Sequence, residues 1–260
     1  MSTQQSGRVE LQITDAIASV TFNRPDALNA MTWSMYEELK VICKQLHENP
    51  VSVIQFRGAG RKSFVCGTDI SQFKNFKDGN DGLAYERLID EHIALIESIP
   101  SPTIAIIDEL AVGGGLAIAA ACDFRIATHT ARIGAPIAKT VGNCLSSANI
   151  ARLVSHLGVA QTKRILMLAE LIPVSELTAS GFILRTASSE ELDGIAHELV
   201  QQLLVLGPLT IKTSKLEISR FLQANIPNCD DLIQACYGSA DFKEAVNAFM
   251  EKRKPRWQGR

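Results

Sequence analysis

Apolar residues fall at alternate positions in the first stretch of the chain. Val9, Leu11 and Ile13, then Ala18, Val20 and Phe22, are interrupted by the polar pair Thr14-Asp15, a pattern that predicts the two strands of a hairpin. Asn23-Arg24-Pro25-Asp26 is a turn cluster. Over residues 32–48 the spacing changes to three and four. Met35, Leu39, Ile42, Cys43 and Leu46 then mark one face of an amphipathic helix, stopped by Asn49-Pro50. Residues 51–56 read as a compact strand ending in the turn Gly58-Ala59-Gly60. Residues 64–70 read as a Gly-containing loop and 74–82 as a polar, flexible segment. A helix follows over 84–98, with Leu83, Leu88, Leu95 and Ile99 as its buried stripe. Residues 103–107 are a strand, 116–121 an apolar helix and 124–127 another short strand. Beyond Ser146 the periodicity is helical apart from one strand near 182–186, and Ser188-x-x-Glu191 caps a helix running to Leu206. No internal sequence repeat is visible. Strand–helix alternation followed by a helical tail is an α/β core with a helical C-terminal appendage.

Composition narrows the function more than the fold. With 26 basic and 28 acidic residues among 260, the formal charge of −2 carries no footprint for nucleic acid or an anionic membrane. The most apolar run, 112–122, contains three glycines and stops at Asp123, short of the ~20 residues a spanning helix needs. Residues 1–7 lack a basic and an apolar region, so no secretory signal is expected. The six cysteines contain no C-x-x-C pair and read as reduced thiols of a cytoplasmic protein. The five histidines lack zinc-site spacing, and no metal is expected.

Two glycine-containing junctions carry the candidate chemistry. Gly113-Gly114-Gly115 follows a strand and opens a helix, where backbone N–H groups converge on an anion or a developing oxyanion. Close helix packing with a tight turn explains such a run equally well. A dinucleotide fingerprint is excluded by Ile118, and a phosphate loop at 58–63 is excluded by Arg61. No G-x-S-x-G nucleophile elbow occurs. The second junction is Phe64-Val65-Cys66-Gly67-Thr68-Asp69-Ile70. The N–H groups of Thr68 and Gly114 could thus face one carbonyl oxygen.

That pair of motifs, F-V-C-G-T-D-I at 64–70 and A-V-G-G-G-L-A-I-A-A-A-C-D-F-R-I-A at 111–127, resembles the enoyl-CoA hydratase/isomerase (crotonase) family. The opening V-T-F-N-R-P-D-A-L-N-A-M and the closing segment 241–260 are similar to the same family. The resemblance implies a crotonase-like ββα superhelix core over 1–200 and a helical C-terminal trimerisation region over 201–260. It implies a homotrimer or dimer of trimers acting on an acyl-CoA thioester, with coenzyme A entering as part of the substrate and no separate cofactor. Thr68 and Gly114 would form the oxyanion hole by their backbone N–H groups. Cys66, Gly67, Asp69 and Ile70 would lie along the coenzyme, with Phe249, Lys252 and Arg24 also against it. Asp123 is taken as structural.

The chain departs from the family where protons should move. The resemblance places two glutamates at positions held here by Ala117 and Ile137, and neither side chain can transfer a proton. Substitutes are sought among Lys139, Thr140, Asn143 and Cys144, and among Tyr85, Glu86, Asp90, Glu91 and His92 on the helix over the acyl pocket. Lys139, Asp90 and Glu91 stand first as acid–base candidates, while Cys144 reads as an inert buried thiol. Three readings stay open: a family enzyme with displaced proton-handling groups (isomerase, decarboxylase or thioester hydrolase), a residual hydratase, and a non-catalytic acyl-CoA binder or scaffold.

Overall fold

The computed structural model describes residues 7–260; the reading of the N-terminal stretch otherwise falls on residues outside the described ones. The hairpin is present as β1 (Arg8–Thr14) and β2 (Ile17–Asn23), antiparallel with Leu11 opposite Val20. α1 (Trp33–Glu48) is capped by the Thr32 hydroxyl, which accepts from the Met35 N–H at 3.3 Å, and buries the expected Met35, Leu39, Ile42, Cys43 and Leu46.

Three successive ββα turns follow. Each sends its first strand to one sheet, its second to another, and then enters a helix. The first is β3 (Val53–Gly58), β4 (Val65–Cys66) and α2 (Gly79–Ser98). The second is β5 (Thr103–Ile107), β6 (Leu110–Val112) and α3 (Gly114–Ala121). The third is β7 (Phe124–Thr128), β8 (Arg132–Gly134) and α4 (Ser147–Met167). The chain closes with β9 (Leu171–Pro173), β10 (Arg185–Ala187), α5 (Leu192–Leu204), α6 (Pro208–Gln223), α7 (Asp230–Gly238) and α8 (Ala240–Met250). A six-stranded sheet has the order β1-β2-β3-β5-β7-β10, and a four-stranded sheet the order β4-β6-β8-β9. The structural repeat leaves no trace as a sequence repeat because its helices contain 20, 8 and 21 residues.

Several expectations change. Residues 74–82 are ordered: the Asp78 and Asp81 side chains form a capping box, so α2 starts at Gly79 rather than at 84. Its buried face runs through Leu83, Glu86, Ile89, Ile93 and Ile96, with Leu88 and Leu95 only half-buried. Beyond Ser146 there are two strands, β9 and β10, where one was expected. Among the described residues no helix is long and apolar enough to cross a membrane.

The main core fills the space between the sheets and α1 to α4. A smaller apolar cluster joins α7 and α8 to α2 through Phe73, Leu83, Ile233, Tyr237, Phe242 and Val246. Asp123 ties three elements together. It accepts from the Thr103 N–H at 2.7 Å and from Lys215 Nζ at 2.7 Å, linking the starts of β5 and β7 to α6.

Candidate active site

β4 and β6 run parallel, with Val65 opposite Ala111 and Cys66 opposite Val112. The chain therefore leaves two adjacent strands at the same level, into Gly67-Thr68 and Gly113-Gly114. Both readings of the glycine run hold at once. Gly113 has φ 56° and ψ −117°, a conformation that L side chains avoid. At Gly115 a Cβ would come 1.9 Å from the Val65 carbonyl oxygen, so α3 packs on β4 only through glycine. Met31 donates to the Gly67 carbonyl at 2.8 Å and accepts from the Asp69 N–H at 2.8 Å. Thr68 is centred between those bonds, and in a parallel pairing its own N–H points the opposite way. The Gly114 N–H, first in α3, is beyond the reach of any intrahelical acceptor. The two junctions adjoin: a Cβ on Gly114 would lie 3.8 Å from Thr68 Oγ1 and 2.8 Å from the Tyr36 hydroxyl.

A cavity of about 240 Å³ opens at these junctions, lined among others by Thr68, Gly114, Ala117, Ile137, Glu86 and Asn143. Thr68 Oγ1 is held between the hydroxyls of Tyr36 and Tyr85, each at 2.8 Å. Burial pushes Tyr36 up to about 12, so it positions Thr68 as a neutral group.

Glu86 is the carboxyl this wall supplies, and α2 explains why it is buried. Gly79, Gly82 and Glu86 share one helical face. A Cβ on Gly79 would come 2.1 Å from the Gln234 carbonyl oxygen, and one on Gly82 would come 2.0 Å from the Tyr237 ring. These glycines let α7 lie close enough for the Tyr237 hydroxyl to reach Glu86 one turn further on, donating to Oε1 at 2.6 Å. The Ser146 N–H donates to Oε2 at 2.8 Å, and Asn143 Nδ2 donates to the Tyr237 hydroxyl at 2.9 Å. Burial pushes the Glu86 carboxyl up to about 8, against the downward pull of the Tyr237 and Ser146 bonds. A carboxyl titrating there holds its proton at neutral pH yet releases it readily, which is the range for general acid–base work.

Of the residues expected from the sequence, Thr68, Gly114, Cys66, Gly67, Ile70 and Phe249 line this cavity, Phe249 remaining half-exposed. Arg24 and Asp69 lie beside it but pair with each other at 2.8 Å, and Arg24 Nη1 also donates to the Ala30 carbonyl. Lys252 is exposed and does not line the cavity. The three first acid–base candidates are not brought to the wall. Lys139 is exposed at the end of a 3₁₀ turn, and Glu91 lies on the solvent face of α2. Asp90 accepts from the Ser146 hydroxyl at 2.6 Å and from Asn149 Nδ2 at 3.2 Å. Its carboxyl borders a larger cavity of about 640 Å³ at the C-terminal end of α3, where Arg152–Glu97 and Lys215–Asp123 are already paired. His92 is buried against the Tyr36 ring, its Nδ1 2.6 Å from the Leu88 carbonyl oxygen. Sequence reasoning therefore named Glu86 without singling it out and missed Tyr237. The available signal was Gly79 and Gly82 on the face that carries Glu86.

The family model for enoyl-CoA hydratase/isomerase matches residues 12–260. The chain is 31% identical over 243 residues to a short-chain-enoyl-CoA hydratase of Clostridium acetobutylicum, covering 92% of each chain. It is 30% identical over 249 residues to a crotonyl-CoA hydratase of Syntrophomonas wolfei, covering 94% of this chain and 95% of that one. Among solved structures it is similar to a methylmalonyl-CoA decarboxylase complexed with 2S-carboxypropyl-CoA, with a TM-score of 0.87, 26% identity and full coverage of both chains. The sequence motifs, the ββα superhelix and these similarities agree: the chain belongs to the enoyl-CoA hydratase/isomerase family.

Proposed function

We propose that the protein acts on acyl-CoA thioesters, holding the thioester oxygen with the Thr68 and Gly114 N–H groups and moving one proton with Glu86. The observation that carries this reading is a single cavity lined by the two glycine junctions and by Glu86, a buried carboxyl that burial pushes up to about 8. Breaking a bond at the carbon next to a thioester places negative charge on the carbonyl oxygen. A preorganised donor there contributes about 2.7–4 kcal/mol to the transition state. Ala117 and Ile137 stand at the family's glutamate positions, so hydration by a carboxylate pair has no support in this cavity. A reaction with one proton to deliver fits better. In decarboxylation of a malonyl-type thioester, the C–C bond to the carboxylate breaks, carbon dioxide leaves, and protonated Glu86 gives its proton to the α-carbon of the enolate. The apolar wall formed by Ile89, Val112, Ala117 and Ile137 favours that step because it solvates a substrate carboxylate poorly. The likeness to a methylmalonyl-CoA decarboxylase supports the same choice.

Hydration of a short enoyl-CoA with Glu86 as sole proton carrier is the second reading, favoured by the two hydratase relatives. Incubation with malonyl-, methylmalonyl-, crotonyl- and saturated acyl-CoA, followed by mass spectrometry, separates the readings. Loss of carbon dioxide is expected. Gain of water alone selects the second reading, and binding without turnover across the panel removes both in favour of a scaffold. The trimer or dimer of trimers belongs to this proposal as well, supported by exposed Leu209, Ile218 and Phe221 on α6. A monomer in equilibrium sedimentation would remove it.

A further inference from the structure

The loop that carries Asn143 meets α7 along a seam that contains two thiols. Cys236 Sγ donates to the Gly142 carbonyl at 3.3 Å, and Cys144, two residues on, is the side chain that most perturbs its ionisation. One residue along each segment, Asn143 Nδ2 donates to the Tyr237 hydroxyl at 2.9 Å. The segments thus pair 144 with 236 and 143 with 237, and the second pair is the one that ends on Glu86. Both thiols are half-buried, whereas Cys43 and Cys122 are sealed in the core. This pairing has no part in the chemistry proposed for the cavity, and it is not predicted by cysteine spacing, since the two residues lie far apart in the chain.

We propose that Cys144 and Cys236 are a dithiol modification site for peroxide oxidants, closing to a reversible disulfide that fixes the 142–145 loop against α7. The chemistry assigns the two sulfurs different tasks. Cys144 favours ionisation of Cys236 against burial, and Cys144 itself is held above its ordinary range; the Cys236 proton leaves the Gly142 carbonyl when the thiolate forms. The Cys236 thiolate attacks one peroxide oxygen; an S–O bond forms, the O–O bond breaks, and the departing hydroxide is protonated to water. Cys144 sulfur then attacks Cys236 sulfur. The S–S bond forms, the S–O bond breaks, and the second hydroxide leaves as water with the Cys144 proton. Two thiols lose two electrons to one peroxide, and a dithiol reductant reverses the change. Closure draws the sulfurs together to about 2.05 Å. Asn143 and Tyr237, the immediate neighbours, move with them, and so does the donor on Glu86.

The effect on turnover rests on the function proposed above; the formation of the bond does not. Purified full-length protein is treated with hydrogen peroxide and its intact mass and peptides are measured. The expected result is loss of the mass of two hydrogens, a cross-linked peptide joining 144 to 236, and full reversal by dithiothreitol. Turnover of whichever thioester the panel identifies should fall on the order of 100-fold in the oxidised form, the cost of misplacing a catalytic group by about 1 Å. Cys144→Ser and Cys236→Ser should keep basal turnover and lose both the cross-link and the peroxide sensitivity. Oxygen addition to separate cysteines without a 144–236 cross-link overturns the site. A cross-linked protein with unchanged turnover overturns its control of the cavity, and absence of turnover on every thioester indicts the function reading while the mass result still stands.

Discussion

Replacing Glu86 by glutamine keeps the shape of the side chain and removes its titration. The wild-type carboxyl has an ordinary value of 4.5 in the unfolded chain and about 8 in the folded one. Below pH 4.5 both states hold the proton and the site costs nothing through ionisation. As the pH rises towards 8 the unfolded chain ionises while the folded one keeps its proton, so stability present at low pH is lost. At about 1.36 kcal/mol per pH unit the loss is on the order of 5 kcal/mol by pH 8. Glu86→Gln carries a different penalty. With its amide oxygen accepting from the Ser146 N–H, its amide nitrogen faces the Tyr237 hydroxyl, which loses its acceptor, costing roughly 1–3 kcal/mol at every pH. The variant should therefore be less stable than wild type near pH 5, more stable near pH 8, and equal at a crossing point between, as read by urea unfolding. Taking the difference between the two proteins cancels the other titrating groups, Asp90 among them. Turnover should fall roughly 10²–10⁴-fold with KM little changed. Parallel stability curves for the two proteins from pH 5 to pH 8 would refute a carboxyl that is protonated at neutrality.

Three further substitutions probe the surroundings. Gly114→Ala places a methyl 2.8 Å from the buried Tyr36 hydroxyl; it should displace that hydroxyl from Thr68, misplace the donors and lower kcat on the order of 10²-fold, with a stability cost of roughly 1–3 kcal/mol. Gly82→Ala drives a methyl into the Tyr237 ring 2.0 Å away, which should cost roughly 1–3 kcal/mol in urea unfolding. Because the Tyr237 bond lowers the Glu86 titration, its loss should move the alkaline limb of the pH–rate profile upward. Asp123→Asn leaves Lys215 without its counter-charge and should destabilise by roughly 3 kcal/mol, the lower end for a buried pair because the Asp123 side chain is 23% exposed; equal unfolding midpoints would show that the pair contributes nothing.

The legible parts of the chain were those whose pattern was long and one-sided. The hairpin and α1 are read directly because one face of each meets the core and the other meets water. β6, β8 and β9 have three residues each, too few for a period to show, and they exist because the second sheet supplies partners. α2 was misread for a different reason. Its first turn contains Gly79 and Gly82, which look like flexibility in a list of letters but serve close approach to α7. Its buried stripe includes Glu86 and His92, which a count of apolar positions passes over. The candidate site divides the same way. The glycine junctions announced themselves, whereas Tyr237 is brought to Glu86 by tertiary packing across 151 residues of chain.

The proposed placing of the proton carrier at position 86 matches where this chain keeps hydrogen-bond donors. A buried carboxyl survives only if its oxygens are satisfied. α3 offers nothing of the kind around Ala117: from Gly115 to Ala121 every residue is buried, and each is glycine, alanine, leucine or isoleucine. A glutamate there would draw its donors from the substrate or from water. The wall formed by α2, α7 and the loop before α4 has donors in place, the Tyr237 O–H and the Ser146 N–H, both already committed to position 86. Ala117, Ile137 and Glu86 nevertheless border one cavity. Under the proposed function, the chemistry depends less on which element carries the acid than on whether that element can hold it neutral at the cavity wall. A carboxyl held protonated by its surroundings is poorly suited to activating water as a base. It is well suited to quenching an enolate, and this asymmetry is why loss of carbon dioxide is proposed ahead of hydration.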